Sequence, residues 1–362
     1  MVPYEDLKRV NKAFTEDFRR QFEKVISSGW YILGEQVQQF EKDFSSYHNT
    51  PYCIGVGNGL DALVLSLKAL RLKQGSEVIV PSNTYIATIL SILHCGLQPV
   101  LVEPDINTYN IDPQKIEEAI TSNTAAVLVV HLYGKCCVMD AISSICEAHG
   151  LVLLEDCAQS HGAKYKERLC GTFGSAAAFS FYPTKNLGCL GDGGAVLTGD
   201  EALAEDIRTL RNYGSKKKYH NEEIGYNSRL DELQAAFLQV KLQKLDEINL
   251  HKRKLASLYM EGLSNEFIKP AVHADGFDVY HIFAVRHNKR DSLKTYLNEQ
   301  GIGTEIHYPV PPHHQPALRN LFDGKKFPVS EEIHRTTLSL PCSTAHTEED
   351  VQSVIDVMNS FK

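Results

Sequence analysis

Apolar side chains recur every three to four positions through Leu7, Val10, Phe14, Phe18, Phe22 and Val25, with charged residues between them. That spacing places one apolar stripe along a helix over residues 5–28. Val37, Phe40 and Phe44 repeat the pattern and predict a second helix opening at Gly34. From residue 53 the rhythm changes. Short β-prone runs at Cys53–Val56, Glu77–Val80, Pro99–Val102, Ala125–Val130, Leu151–Asp156 and Ala176–Phe181 read as strands. Between them, helical stretches open near Gly59 and Ile86 and fill 140–149. Strands alternating with helices predict an α/β architecture, a mainly parallel sheet with helices on both faces. Ligands of such sheets gather beyond the carboxyl ends of the strands.

Further along, 200–213 predicts a helix, 214–221 a basic, turn-rich loop, and 231–260 one long periodic helix. Val279–Arg286 alternates as a strand, 290–299 is helical, 301–309 returns as a strand, and 331–337 and 348–361 are helical. We expect a large domain over residues 1–245 and a smaller α+β domain over 246–362, joined through the long helix.

Composition narrows the classes. The 362 residues can bury a sizeable core. A net charge of −8, with no long basic stripe, argues against nucleic acid but leaves room for an anionic small molecule held by a local cluster. Nine scattered cysteines without CxxC or Cys/His ligand spacing predict reduced core thiols and no metal site. No apolar targeting core opens the chain and no segment approaches a membrane span, so a cytoplasmic protein without membrane attachment is expected.

Candidate chemistry concentrates on one lysine. Lys185 stands between the apolar run ending at Phe181 and a loop carrying Gly188, Gly191, Gly193 and Gly194. Desolvation lowers a lysine pKa, so an amine there can act as a nucleophile; the bland reading is a lysine that caps a strand end. Asp156, 29 residues earlier, ends a buried strand. An acid and a lysine so placed fit pyridoxal phosphate (PLP), whose ring nitrogen pairs with a carboxylate and whose aldehyde is held by a lysine. Cys53–Leu63 reads as a short strand, a glycine turn and a helix start, a natural phosphate cradle. A dinucleotide site is the rival reading there, but the spacing is not GxGxxG.

Ser180–Gly194, taken with Glu155–Gly162, resembles the signature of the DegT-type sugar aminotransferases. The likeness runs from Gly29–Gly34 to His307–Pro309. It implies the aspartate-aminotransferase fold with a seven-stranded, mainly parallel sheet, PLP as coenzyme, and a homodimer sharing its sites across the interface. It also implies roles. Lys185 would carry the coenzyme, Asp156 its ring nitrogen, Tyr85 would stack on the ring, and Gln159 would lie near the phenolic oxygen. Asn58 and Gly59 would offer main-chain N–H groups to the phosphate, Ser180 would bind the coenzyme, and Asn227 would reach a neighbour's phosphate. Tyr182, His307 and Tyr308 are candidates to face the sugar, and Lys217, Lys218 and Arg253 to meet its pyrophosphate. No role attaches to His161.

The activity implied is transfer of an amino group from an amino acid, L-glutamate being the expected donor, to a nucleotide-linked keto-sugar. Arg211–Ser215, Asn227–Glu232 and His307–His313 look most like enzymes that aminate the 3-keto position of dTDP-linked 6-deoxyhexoses. Amino-sugar biosynthesis for O-antigen or lipopolysaccharide would use such a product. Enzymes aminating the 4-keto position share much of the pattern. A binding or regulatory protein on the same scaffold is the alternative of another class, and loss of Lys185 or Asp156 would mark it. Both are present.

Overall fold

A computed structural model describes residues 1–362. The predicted strands form the centre. We label them β1 (Tyr52–Val56), β2 (Glu77–Pro81), β3 (Gln98–Val102), β4 (Thr124–Val130), β5 (Val152–Asp156), β6 (Ala176–Ser180) and β7 (Gly194–Thr198). They make one seven-stranded sheet in the order β1-β7-β6-β5-β4-β2-β3. The pairings β2–β3, β2–β4, β4–β5 and β5–β6 are parallel, whereas β7 runs antiparallel to both of its neighbours. A strand at 194–198 was not expected, because the glycine-rich run before it reads as loop. Its residues Gly194–Thr198 are all buried, as a central strand requires.

Apolar side chains pack both faces. One cluster joins Phe40, Phe44, Val127, Leu153, Phe179 and Leu238, and the opposite one joins Val64, Ile89, Leu128, Leu154 and Val196. A separate cluster gathers Val2 with Tyr259, Phe283, Leu297, Leu338 and Val351.

Helix breaks correct two expectations. Residues 5–28 form Leu7–Lys12 and Thr15–Ser28, and 231–260 forms Glu232–Leu242 and Leu245–Gly262. At the first break the hydroxyl of Thr15 donates to the carbonyls of Asn11 and Lys12, a side chain competing with the helix ladder. The bend then seats Phe18 against Phe237, 4.9 Å between ring centroids. Only Phe283–Arg286 of the predicted 279–286 strand is extended and paired; its partner is Thr337–Leu340, where the helix expected to reach 337 has already ended. Residues 301–309 make single bridges, Val2 to Ile302 and Glu305 to Ser339, and no strand. The basic loop at 214–221 holds a short hairpin, Ser215–Lys217 against His220–Asn221.

Candidate active site

The carboxyl ends of β2, β5 and β6 deliver Tyr85, Asp156 and Lys185 to one edge of the sheet. Side chains alternate along β5, so Asp156 shares its face with Leu154, while Glu155 points the other way with Leu153. Asp156 is buried, and burial raises its pKa. Its carboxylate accepts from the Thr88 hydroxyl at 2.9 Å and from the Ala158 N–H at 3.1 Å, leaving acceptor capacity unused. Thr88 lies on the helix Ile86–His94, one turn beyond Tyr85, and is itself linked to Thr84 at 2.8 Å.

Lys185 sits in the turn after β6, with its N–H donating to the Tyr182 carbonyl at 2.9 Å. Burial lowers its amine to about 8, against the opposing pull of Asp156. The Nζ atom is 3.4 Å from His281 Nε2. A free amine is therefore accessible near neutral pH, as a nucleophilic lysine needs.

The phosphate cradle is built on the helix Gly59–Ala69. Asn58 caps it, its Oδ1 accepting from the Asp61 N–H at 2.9 Å, and the first N–H groups, those of Gly59 and Leu60, have no intrahelical partner. A Cβ at Gly59 would stand 2.6 Å from Cβ of Ser180, so only glycine lets the helix start press on the end of β6. Ser228 ties the next segment in: its hydroxyl donates to Asp61 at 2.7 Å and accepts from the Gly57 N–H at 3.0 Å. Asn227, beside it, is exposed.

Gln159 is clamped. Its Oε1 accepts from the Tyr133 N–H at 2.7 Å and its Nε2 donates to the Tyr308 hydroxyl at 2.9 Å. The Tyr308 ring lies 5.1 Å from that of Tyr85. His307 meets Ser339 Oγ at 2.8 Å and accepts the Tyr133 hydroxyl on its carbonyl; burial lowers its imidazole to about 4. His161 is fully buried near Phe179 and Phe181, and burial, then the Lys185 charge, hold it to about 3. Tyr182 is exposed.

The structure does not gather every candidate. Arg253 donates to the Asp278 carbonyl at 2.6 Å and stacks 4.0 Å over the Phe277 ring. Lys217 and Lys218 lie on the exposed hairpin, the latter over the Tyr219 ring at 5.1 Å. Thr88, Tyr133 and His281 were missed, and of these only Thr88 carried a sequence signal, its one-turn spacing from Tyr85. Among the cysteines, Cys136 and Cys170 come together with His131 in the interior. Both imidazole nitrogens of His131 are engaged, Nε2 with Glu155 at 2.9 Å and Nδ1 with the Cys137 N–H at 3.1 Å, so neither has a lone pair to offer a metal.

A helix N-terminus beside a close-packed glycine, an unsaturated buried carboxylate and a lysine with a depressed pKa fit the phosphate, the ring nitrogen and the aldehyde of PLP. Fold and site together define a PLP-dependent aminotransferase of fold type I. The chain belongs to the DegT/DnrJ/EryC1/StrS aminotransferase family, which it matches over residues 12–359. It is 52% identical over 362 residues to the dTDP-3-amino-3,6-dideoxy-alpha-D-galactopyranose transaminase of Aneurinibacillus thermoaerophilus, covering 100% of this chain and 99% of that one. Among solved structures, DesV of S. venezuelae superimposes with a TM-score of 0.96 at 45% identity over 99% of this chain and 97% of its own. NtdA of Bacillus subtilis, with bound cofactor PMP, does so with a TM-score of 0.92 at 31% identity over 99% and 84%. No helix is long and apolar enough to cross a membrane.

Proposed function

We propose that this aminotransferase moves the amino group of L-glutamate to the 3-keto carbon of a dTDP-linked 6-deoxyhexose, releasing the keto acid and an amino sugar. The chemistry rests on one observation, the placing of Lys185 and Asp156 at adjacent strand ends with the helix cradle between β1 and β6. PLP, when bound, supplies an aldehyde carbon that carries the amino group and a ring that draws electrons from the reacting carbon. Lys185 Nζ gives and takes the proton on that carbon in both half-reactions, which a pKa near the working pH favours. Asp156 holds a positive ring nitrogen, and the charge it meets there offsets the burial that raises its own pKa.

Asn58, Gly59 and Ser180 line the phosphate, and Asn227 reaches the phosphate of a second copy. Its exposure next to the anchored Ser228 suits that homodimer role. Tyr85 covers the ring and Gln159 holds its phenolic edge. Tyr182, His307 and Tyr308 face the sugar, while the exposed Lys217 and Lys218 suit a pyrophosphate better than Arg253. The separate apolar cluster around Tyr259 and Phe283, drawn from 246–362 apart from Val2, supports a unit over 246–362 distinct from 1–245, and the work would be cytoplasmic, supplying amino sugars to a surface polysaccharide such as O-antigen. The 3-keto position is favoured over the 4-keto one by the activity for which the Aneurinibacillus relative is named.

The test is spectroscopic. Purified protein with PLP is expected to show a visible band that moves into the near ultraviolet with glutamate, and Lys185→Ala to lack both the band and turnover. Product from a 3-keto sugar nucleotide, located by NMR, decides the position. Turnover by Lys185→Ala would sink the assignment of that lysine, and a protein that shows no band responding to glutamate would promote the binding-protein alternative.

A further inference from the structure

Lys185 has one side-chain hydrogen-bond partner within the chain, the Nε2 atom of His281 at 3.4 Å. The imidazole comes from a segment 96 residues away and is held there by its backbone. Its carbonyl accepts from Lys252 Nζ at 3.2 Å. Its N–H lies so close to Gly134 that a Cβ there would be 2.7 Å from it, and Gly134 has φ +94°, which glycine adopts without strain. On either side the Val279 N–H donates to the Gly134 carbonyl at 2.9 Å, and the Ile282 N–H to that of Tyr133 at 3.3 Å. The Tyr133–Gly134 turn therefore sets both ends of the site: through its N–H it orients Gln159, and through its carbonyls it fixes His281.

We propose that His281 is a positioning residue for Lys185: neutral Nε2 accepts one N–H of the amine and so fixes the direction of its remaining N–H bonds and lone pair. In that tautomer the ring proton sits on Nδ1, which is buried and has no partner in the chain. The ionisable groups that face the imidazole are Lys185, Lys252, His307 and His161, all basic, and burial with the two lysine charges holds His281 neutral. A neutral imidazole is an acceptor at all working pH values, so it never competes with Lys185 for the proton that the amine carries. It steers without becoming an acid itself. The inference rests on reading Lys185 as the reactive amine.

The experiment measures the amine directly. Full-length chain, freed of any aldehyde with hydroxylamine, is acylated with acetic anhydride over a pH series, and labelling of Lys185 is quantified by peptide mass spectrometry. The parent is expected to give a midpoint near pH 8. An acceptor stabilises the charged amine, so His281→Leu is expected to lower the midpoint by on the order of one pH unit, about tenfold more free amine at a pH below it. His281→Gln, whose amide oxygen can stand where Nε2 stands, restores the parent midpoint. Should leucine not fit the packed pocket, His281→Ser is read in the same way, because it is too short to reach Nζ. With PLP and saturating glutamate the leucine variant is expected to pass through the single half-reaction more slowly, while the glutamate concentration that gives half the maximal rate holds. A midpoint equal to the parent's in the leucine or serine variant overturns the proposal, as does a glutamine variant that restores nothing. The labelling needs no coenzyme, so a parent chain that never aminates a sugar ends the functional reading while His281 is still judged.

Discussion

Glu155 and Asp156 are consecutive carboxylates at the end of one strand, both buried, and they differ in almost everything that matters. Glu155 accepts four hydrogen bonds, from His131 at 2.9 Å and from the N–H groups of Gly171, Phe173 and Gly174 at 2.7 Å each. Burial pushes its pKa up, but these donors more than offset that and hold it below the usual carboxylate range. Asp156 has two donors, and burial prevails. A saturated buried acid pins a loop; an unsaturated one is held ready for a charge that arrives from outside. The pleat alone assigns the two fates, by turning one side chain into the interior beneath the 171–174 loop and the other toward Lys185.

If that contrast is right, mutating the two acids must damage different properties. Asp156→Asn keeps the shape and the Thr88 contact but removes the charge that matches a positive ring nitrogen. Its transamination rate is expected to fall by about a hundredfold or more, with the folded state intact by circular dichroism. A rate equal to the parent's would show that the ring needs no anion here. Glu155→Gln does the reverse. One acceptor oxygen becomes an NH2 group facing N–H donors, which should cost about 2–4 kcal/mol of stability. A lower urea midpoint with unchanged activity per folded molecule is the expected result, and lost activity at full stability would break the comparison.

The same contrast explains what was legible in advance. Lys185 and Asp156 stood out because charged residues at the ends of apolar strands are conspicuous in one dimension, and the strands themselves announced the parallel sheet. Gly59 was legible as a turn. Tyr133 and His281 were not, and Thr88 only through its one-turn spacing from Tyr85, since a hydroxyl, a backbone N–H and a neutral imidazole gain meaning only when the fold brings them to a partner. Tyr133 acts through its backbone at φ +59°, a feature no side-chain pattern carries. The helix breaks after Lys12 and Leu242 escaped notice for a related reason. Apolar periodicity runs through both, and at the first the Thr15 hydroxyl and the packing of Phe18 on Phe237 bend the stripe. Antiparallel β7 was hidden by the glycines that precede it.

Saturation also ranks the cationic candidates, and here the expected effects are smallest. Arg253 is already engaged by the Asp278 carbonyl and the Phe277 face, so Arg253→Ala should cost about 1 kcal/mol of stability through the lost stacking and hydrogen bond, leaving KM for the sugar nucleotide unchanged. On the hairpin, Lys216 pairs with Glu222 at 3.6 Å, while Lys217 is exposed and Lys218 rests on Tyr219. Exposed charges bind weakly, so Lys217→Ala with Lys218→Ala should raise that KM by up to about fivefold and leave the urea midpoint where it was. The increase should shrink at high salt, because solvent-exposed charges are screened. A KM that rises for Arg253→Ala and not for the lysine pair would mean that the guanidinium leaves its carbonyl to meet the pyrophosphate. Saturation in the free chain would then fail as a guide to which polar groups are reserved for ligand.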